Sequence, residues 1–90
     1  MTLSEKIGKN LKSARNLKGF TQEYVGKQMG ITQPAYARFE IGKFQLNYEQ
    51  IDFLCELLDI TPDFLWGYVD EYGDKIKKWK RVNKNMEQPT

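Results

Sequence analysis

The stretch Thr21-Gln22-Glu23-Tyr24-Val25-Gly26-Lys27-Gln28-Met29-Gly30-Ile31-Thr32-Gln33-Pro34-Ala35-Tyr36-Ala37-Arg38-Phe39-Glu40-Ile41-Gly42-Lys43 reads as two short helices joined by a tight turn. Thr21 has the chemistry of an N-cap, a hydroxyl that accepts from an otherwise unpaired amide of the first turn. Gln22 and Glu23 fill that turn, and Val25 and Met29, four residues apart, share its inward face. Gly30 ends the helix. Thr32 caps the next one, whose apolar residues Tyr36 and Phe39 are three apart. Pro34 lacks an N–H and fits only in a first turn, so this second helix has to start close to Thr32. Gly42 stops it, and Lys43 to Asn47 form a loop.

On the N-terminal side, Leu3, Ile7, Leu11 and Ala14 recur at helical spacing and predict one apolar face. Thr2 with Glu5 three residues later forms a capping box at its start, and Gly19 ends it before Phe20 returns to the core. On the C-terminal side, Tyr48, Ile51, Leu54, Cys55 and Leu58 line one stripe, with Glu49, Asp52, Glu56 and Asp59 largely outside it. Thr61 and Pro62 restart the chain as N-cap and first helical residue, and Phe64 and Leu65 belong to a short fifth helix closed by Gly67. Further on, Ile76, Trp79, Val82 and Met86 fall within about 120° of helical arc, opposite a face of lysine and arginine. The expected fold is all-α: five helices plus a C-terminal amphipathic basic segment.

The chain has 90 residues, the size of one small domain. Its apolar runs are too short for a membrane span or a signal peptide, so a cytoplasmic protein is expected. One cysteine, Cys55, allows no internal disulfide, and without histidine neither a Cys/His zinc site nor a histidine-based triad can be built. No nucleophile, base and oxyanion arrangement is visible, so no enzyme and no cofactor are expected. The carboxylates at 49, 52, 56, 59 and 63 scatter over a solvated face rather than forming a metal cluster. The net charge of +2 conceals a partition into +5 over residues 1–45, −8 over 46–74 and +5 over 75–90. Such a chain is a polyanion-binding candidate at its ends, with an acidic middle expected to face away.

Two short helices about the turn Met29-Gly30-Ile31 have the layout of a helix-turn-helix, the second being the reading helix. With Arg38-Phe39-Glu40-Ile41-Gly42-Lys43, Leu54-Cys55-Glu56-Leu57-Leu58-Asp59-Ile60-Thr61 and Phe64-Leu65, the sequence resembles the lambda-repressor-like, Cro/C1-type helix-turn-helix family over roughly residues 4–66. The resemblance divides the chain into a DNA-binding domain over 1–67 and an extension over 68–90, which holds the candidate sixth helix and a disordered end. It implies a sequence-specific transcriptional regulator, a repressor that binds a palindromic operator as a homodimer and reads double-stranded DNA with helix 32–41. Base contacts are then expected from Gln33, Pro34, Ala37 and Arg38: Arg38 suits the two acceptors of guanine, Gln33 suits adenine, and Pro34 and Ala37 offer apolar contact to a thymine methyl. Phosphate contacts are expected from Thr21, Gln22, Thr32, Lys43, Gln45 and Asn47. The resemblance also implies a structural pair of Arg15 with Glu40. Two departures bear on the fold. Gly26 stands where the family usually has alanine, and Ile41 where it usually has asparagine, so the exit from the reading helix is expected to differ.

A second class of function stays open. The same fold could serve as an antitoxin-like or adaptor module that holds a basic protein partner on its acidic fourth and fifth helices. The basic C-terminal segment has four readings: a flank folded back on the domain, a dimer contact, a DNA-contacting arm, or a membrane-surface helix.

Overall fold

The structure is a computed structural model, and it describes residues 1–70 and 72–74. Among these lie five helices: α1 (Leu3–Lys18), α2 (Gln22–Met29), α3 (Gln33–Glu40), α4 (Tyr48–Leu58) and α5 (Pro62–Trp66). The expected amphipathic segment Ile76–Met86 lies outside the described residues. No helix among them is long and apolar enough to cross a membrane.

Local chemistry sets every helix start. Thr2, Thr21, Thr32, Asn47 and Thr61 are N-caps, each accepting a backbone N–H three residues on. Thr2 forms the expected capping box with Glu5, and the hydrogen bonds from Thr2 hold the Glu5 carboxyl below its ordinary range. Asn47 forms a second box with Gln50. Helix ends repeat a device. Gly19, Gly30 and Asp59 take left-handed φ values of 74°, 75° and 56°. Each is followed by an apolar residue, Phe20, Ile31 or Ile60, whose N–H reaches back to a carbonyl of the last turn and whose side chain packs against the core. The next residue is the threonine that caps the following helix. Thus α1–α2, α2–α3 and α4–α5 share one three-residue connector, and only the α3–α4 link, residues 41–47, is longer.

These connectors fold the helices around Leu11, Val25, Tyr36, Leu54, Leu58 and Leu65, which are fully or almost fully buried. Burying each of the aliphatic side chains among them stabilises by about 1.5–3 kcal/mol. Cys55 is buried on the same face, and desolvation, with Asp52 nearby, pushes its thiol pKa up, as suits a small core hydrophobe. Two stripe residues depart from expectation: Leu3 is 53% exposed and Tyr48 is 90% exposed. Each is the first residue of its helix. Both line a shallow cavity of about 220 Å³ together with Phe44 and Trp66. At the end of α3 the left-handed residue is not Ile41, at φ −92° and ψ 0°, but Gly42, at φ 82°.

Two glycines bring α3 onto α1. A Cβ on Gly8 would lie 2.4 Å from the Phe39 carbonyl oxygen and 2.5 Å from that of Glu40, and one on Gly42 would lie 2.6 Å from the Glu5 Cα. The end of α3 and its exit turn therefore rest directly on the first turns of α1. Asn10 ties the other side of α1 to α5 by donating to the Leu65 carbonyl at 2.9 Å. Gly8→Ala should gain helix propensity yet lose about 1–3 kcal/mol overall, because the new methyl meets backbone that cannot rotate away. Urea unfolding midpoints of the two proteins would check the sign.

Candidate nucleic-acid interface

The interface begins with α3, whose two faces differ. Tyr36, Phe39 and Glu40 are buried, whereas Gln33, Pro34 and Arg38 are exposed and Ala37 is half-buried. Residues 33, 34, 37 and 38 lie on one side of a helical turn, so they are brought together as the sequence predicts. Pro34 sits in the first turn, where it removes no helical hydrogen bond, and Gln33 is the first helical residue although a proline follows it.

Behind this face lies an ion pair at the junction of three elements. The Arg15 guanidinium donates from Nε to Glu40 Oε2 at 2.6 Å and from Nη2 to Glu40 Oε1 at 3.1 Å, while Nη1 donates to the Phe20 carbonyl at 2.8 Å. Both side chains are nearly inaccessible to solvent. Hydrogen bonding to Glu40 raises the Arg15 pKa despite desolvation. For Glu40, burial alone would raise the pKa, but Arg15, the neighbouring Tyr36 hydroxyl and Gln22 outweigh it and hold the carboxyl below its ordinary value of 4.5. The Tyr36 hydroxyl is buried here outside hydrogen-bond geometry, and burial followed by the Glu40 charge pushes its own ionisation upward.

The pair continues outward to the exposed face. Gln22, first in α2, donates from Nε2 to Glu40 Oε1 at 2.9 Å, and Gln33 Nε2 donates to Gln22 Oε1 at 2.7 Å. Gln22 therefore has a built-in role inside the protein besides the one expected at phosphate. Thr21 and Thr32 use their oxygens as caps and keep hydroxyl protons to donate. Asn47 likewise spends its carbonyl on the cap of α4 and retains its amide N–H groups. Lys43 and Gln45 are exposed in the loop.

Phe44 was not singled out by sequence pattern. Its ring meets Phe39 edge-on at 5.6 Å and carries the Arg38 guanidinium 5.6 Å above its centroid. Its backbone folds back on the helix: Lys43 and Phe44 N–H groups donate to the Arg38 carbonyl at 2.9 and 3.3 Å. An aromatic residue in a polar loop, one turn and a bend beyond Phe39, was the available signal. Among the described residues no group of three His, Cys, Asp or Glu side chains is placed to hold a metal ion.

Comparison with known proteins finds relatives of the chain. The family described as helix-turn-helix matches residues 11–65. The chain is 35% identical over 75 residues to the HTH-type transcriptional regulator YqaE of Bacillus subtilis, covering 80% of this chain and 65% of that protein. It is 34% identical over 59 residues to the SPbeta prophage-derived HTH-type transcriptional regulator YonR of the same organism, covering 66% of this chain and 55% of that one. To the antitoxin PezA of Streptococcus pneumoniae it is 32% identical over 68 residues, covering 76% of this chain and 39% of the antitoxin. The chain thus spans less than two thirds of the length of each of these relatives. No solved structure matches it.

Because the Glu40 pKa is lowered in the fold, its contribution to stability is complete above the ordinary carboxylate value and is lost as pH falls through the lowered one. Glu40→Gln should destabilise at pH 7 by about 3–5 kcal/mol, since it leaves Arg15 buried without its counter-charge. It should also flatten the loss of stability below pH ~4.5. Denaturant titrations at several pH values, on both proteins, read both effects.

Proposed function

Since the chain belongs to the Cro/C1-type helix-turn-helix family, we propose that it is a sequence-specific DNA-binding transcriptional regulator, a repressor that reads one operator half-site with α3. The observation that carries this is the two-sidedness of α3, buried through Tyr36, Phe39 and Glu40 and open to solvent at Gln33, Pro34 and Arg38. A helix seated in the major groove meets base edges with such a face. Arg38, carried on the Phe44 ring, presents a planar fork suited to guanine O6 and N7, and Gln33 presents a carboxamide suited to adenine. Thr21, Gln22, Thr32, Lys43, Gln45 and Asn47 donate to phosphates on either side and set the register. The partner is double-stranded DNA, bound by a homodimer that places two reading helices about 34 Å apart in successive major grooves.

A second reading rests on the likeness to an antitoxin and on a row of exposed acids, Glu49, Asp52, Glu56, Asp59 and Asp63, along α4 and α5. In it the same protein holds a basic protein partner on these helices. The two roles are compatible.

In fluorescence anisotropy on a selected site, Arg38→Ala should weaken binding about 10- to 100-fold while leaving random duplex binding nearly unchanged. Lys43→Ala should weaken both equally and reduce the slope of log affinity against log salt by about 1. Equal affinity of the unaltered protein for selected and random duplex would falsify site-specific regulation.

A further inference from the structure

A carboxamide has nearly the same shape with its oxygen and nitrogen exchanged, so two glutamines in contact can pair in either sense. Here the sense is decided from inside the protein. Glu40 is ionised, and a carboxylate only accepts, so the group Gln22 turns toward it at 2.9 Å has to be the amide nitrogen. That leaves Gln22 Oε1 to face α3, and Gln33 has to answer with a donor, as it does at 2.7 Å. The reverse order would set two oxygens against each other at the buried end. Gln33 is left with its Oε1 and its second N–H without a partner among the described residues. One acceptor and one donor are what N6 and N7 of adenine require. With the relay reversed, the Gln33 oxygen would be occupied and both N–H groups free, a donor pair that matches O6 and N7 of guanine.

We propose that Glu40 is a specificity-determining positioning residue: acting through Gln22, its carboxylate fixes which way round Gln33 is presented and so sets a preference for adenine over guanine. Glu40 touches no base. This rests on the reading of α3 as the base-contacting helix. The Arg15 charge takes part because it keeps Glu40 ionised and in place.

The test uses the full chain and selection from random duplex. The position read by Gln33 is the one whose preference disappears in Gln33→Ala. Duplexes carrying adenine or guanine there are then compared with the unaltered protein, with Gln22→Met, which cuts the relay and leaves the ion pair intact, and with Glu40→Gln. An adenine preference of about tenfold in the unaltered protein should fall to near parity in Gln22→Met, and in Glu40→Gln if that variant folds. Full preference retained in Gln22→Met overturns the proposal. The side-chain amide protons of Gln33 give a readout without DNA: one is bonded to Gln22 and one is not, so their NMR signals should be well separated, and Gln22→Met should draw them together. If the unaltered protein selects no sequence, the base-contact reading fails, and with it the adenine preference. An unchanged separation in Gln22→Met overturns the relay itself.

Discussion

A buried Arg15–Glu40 pair is the constraint on which the arrangement of α1, α2 and α3 depends. Arg15 comes from α1, Glu40 closes α3, and the third arm of the guanidinium holds the Phe20 carbonyl in the link to α2. The two side chains are only 10% and 2% exposed in the folded state, so each needs the other, and the geometry that satisfies both admits little freedom in how the three helices meet. The close contacts of Gly8 and Gly42 act at the same place. They remove the side-chain volume that would otherwise hold the end of α3 away from α1. Electrostatics and sterics therefore fix α3 at its C-terminal end, and the Thr32 cap fixes its start.

The exposed face inherits this order by two routes of different chemistry. One is polar and runs from Glu40 through Gln22 to Gln33. The other is aromatic and runs from buried Phe39 through Phe44 to Arg38. Long side chains on a helix surface ordinarily sample many rotamers, and ordering them on binding costs about 0.5–1.5 kcal/mol each. Contacts already made in the free protein reduce that cost at the two residues best suited to read bases.

Much of this was legible in the sequence, for reasons specific to each element. Helix starts were legible because a threonine cap acts within three residues, and the inward positions Val25, Tyr36, Leu54 and Leu65 because helical periodicity marks them. Leu3 and Tyr48 obey the same periodicity but stand at helix ends, where a pattern gives the face and not whether a neighbour covers it. Gly8 was not legible. A glycine inside a helix reads only as a weak helix former until the carbonyls of Phe39 and Glu40 are seen against it. The relay was hidden for the same reason, since Gln22 and Glu40 are 18 residues apart and neither spacing nor composition links them. The arginine–glutamate pair was anticipated only through family resemblance. At Ile41, where the family usually has asparagine, the backbone is not left-handed, and the positive φ of the turn falls on Gly42.

The shared three-residue connector has a bearing on how such a protein can diversify. Left-handed residue, apolar anchor and threonine cap follow one another at 19–21, 30–32 and 59–61 without a spare position. An inserted or deleted residue inside α3 would turn everything beyond it by about 100°, and one in the connector would separate the anchor from the cap. Length change at these points is therefore closed to drift, and the link at 41–47 is the one interhelix segment among the described residues with room to absorb it. New sequence preferences must arise by exchanging side chains on a frame of fixed length, at the exposed residues Gln33, Pro34 and Arg38, whose exchange leaves the buried face of α3 unchanged.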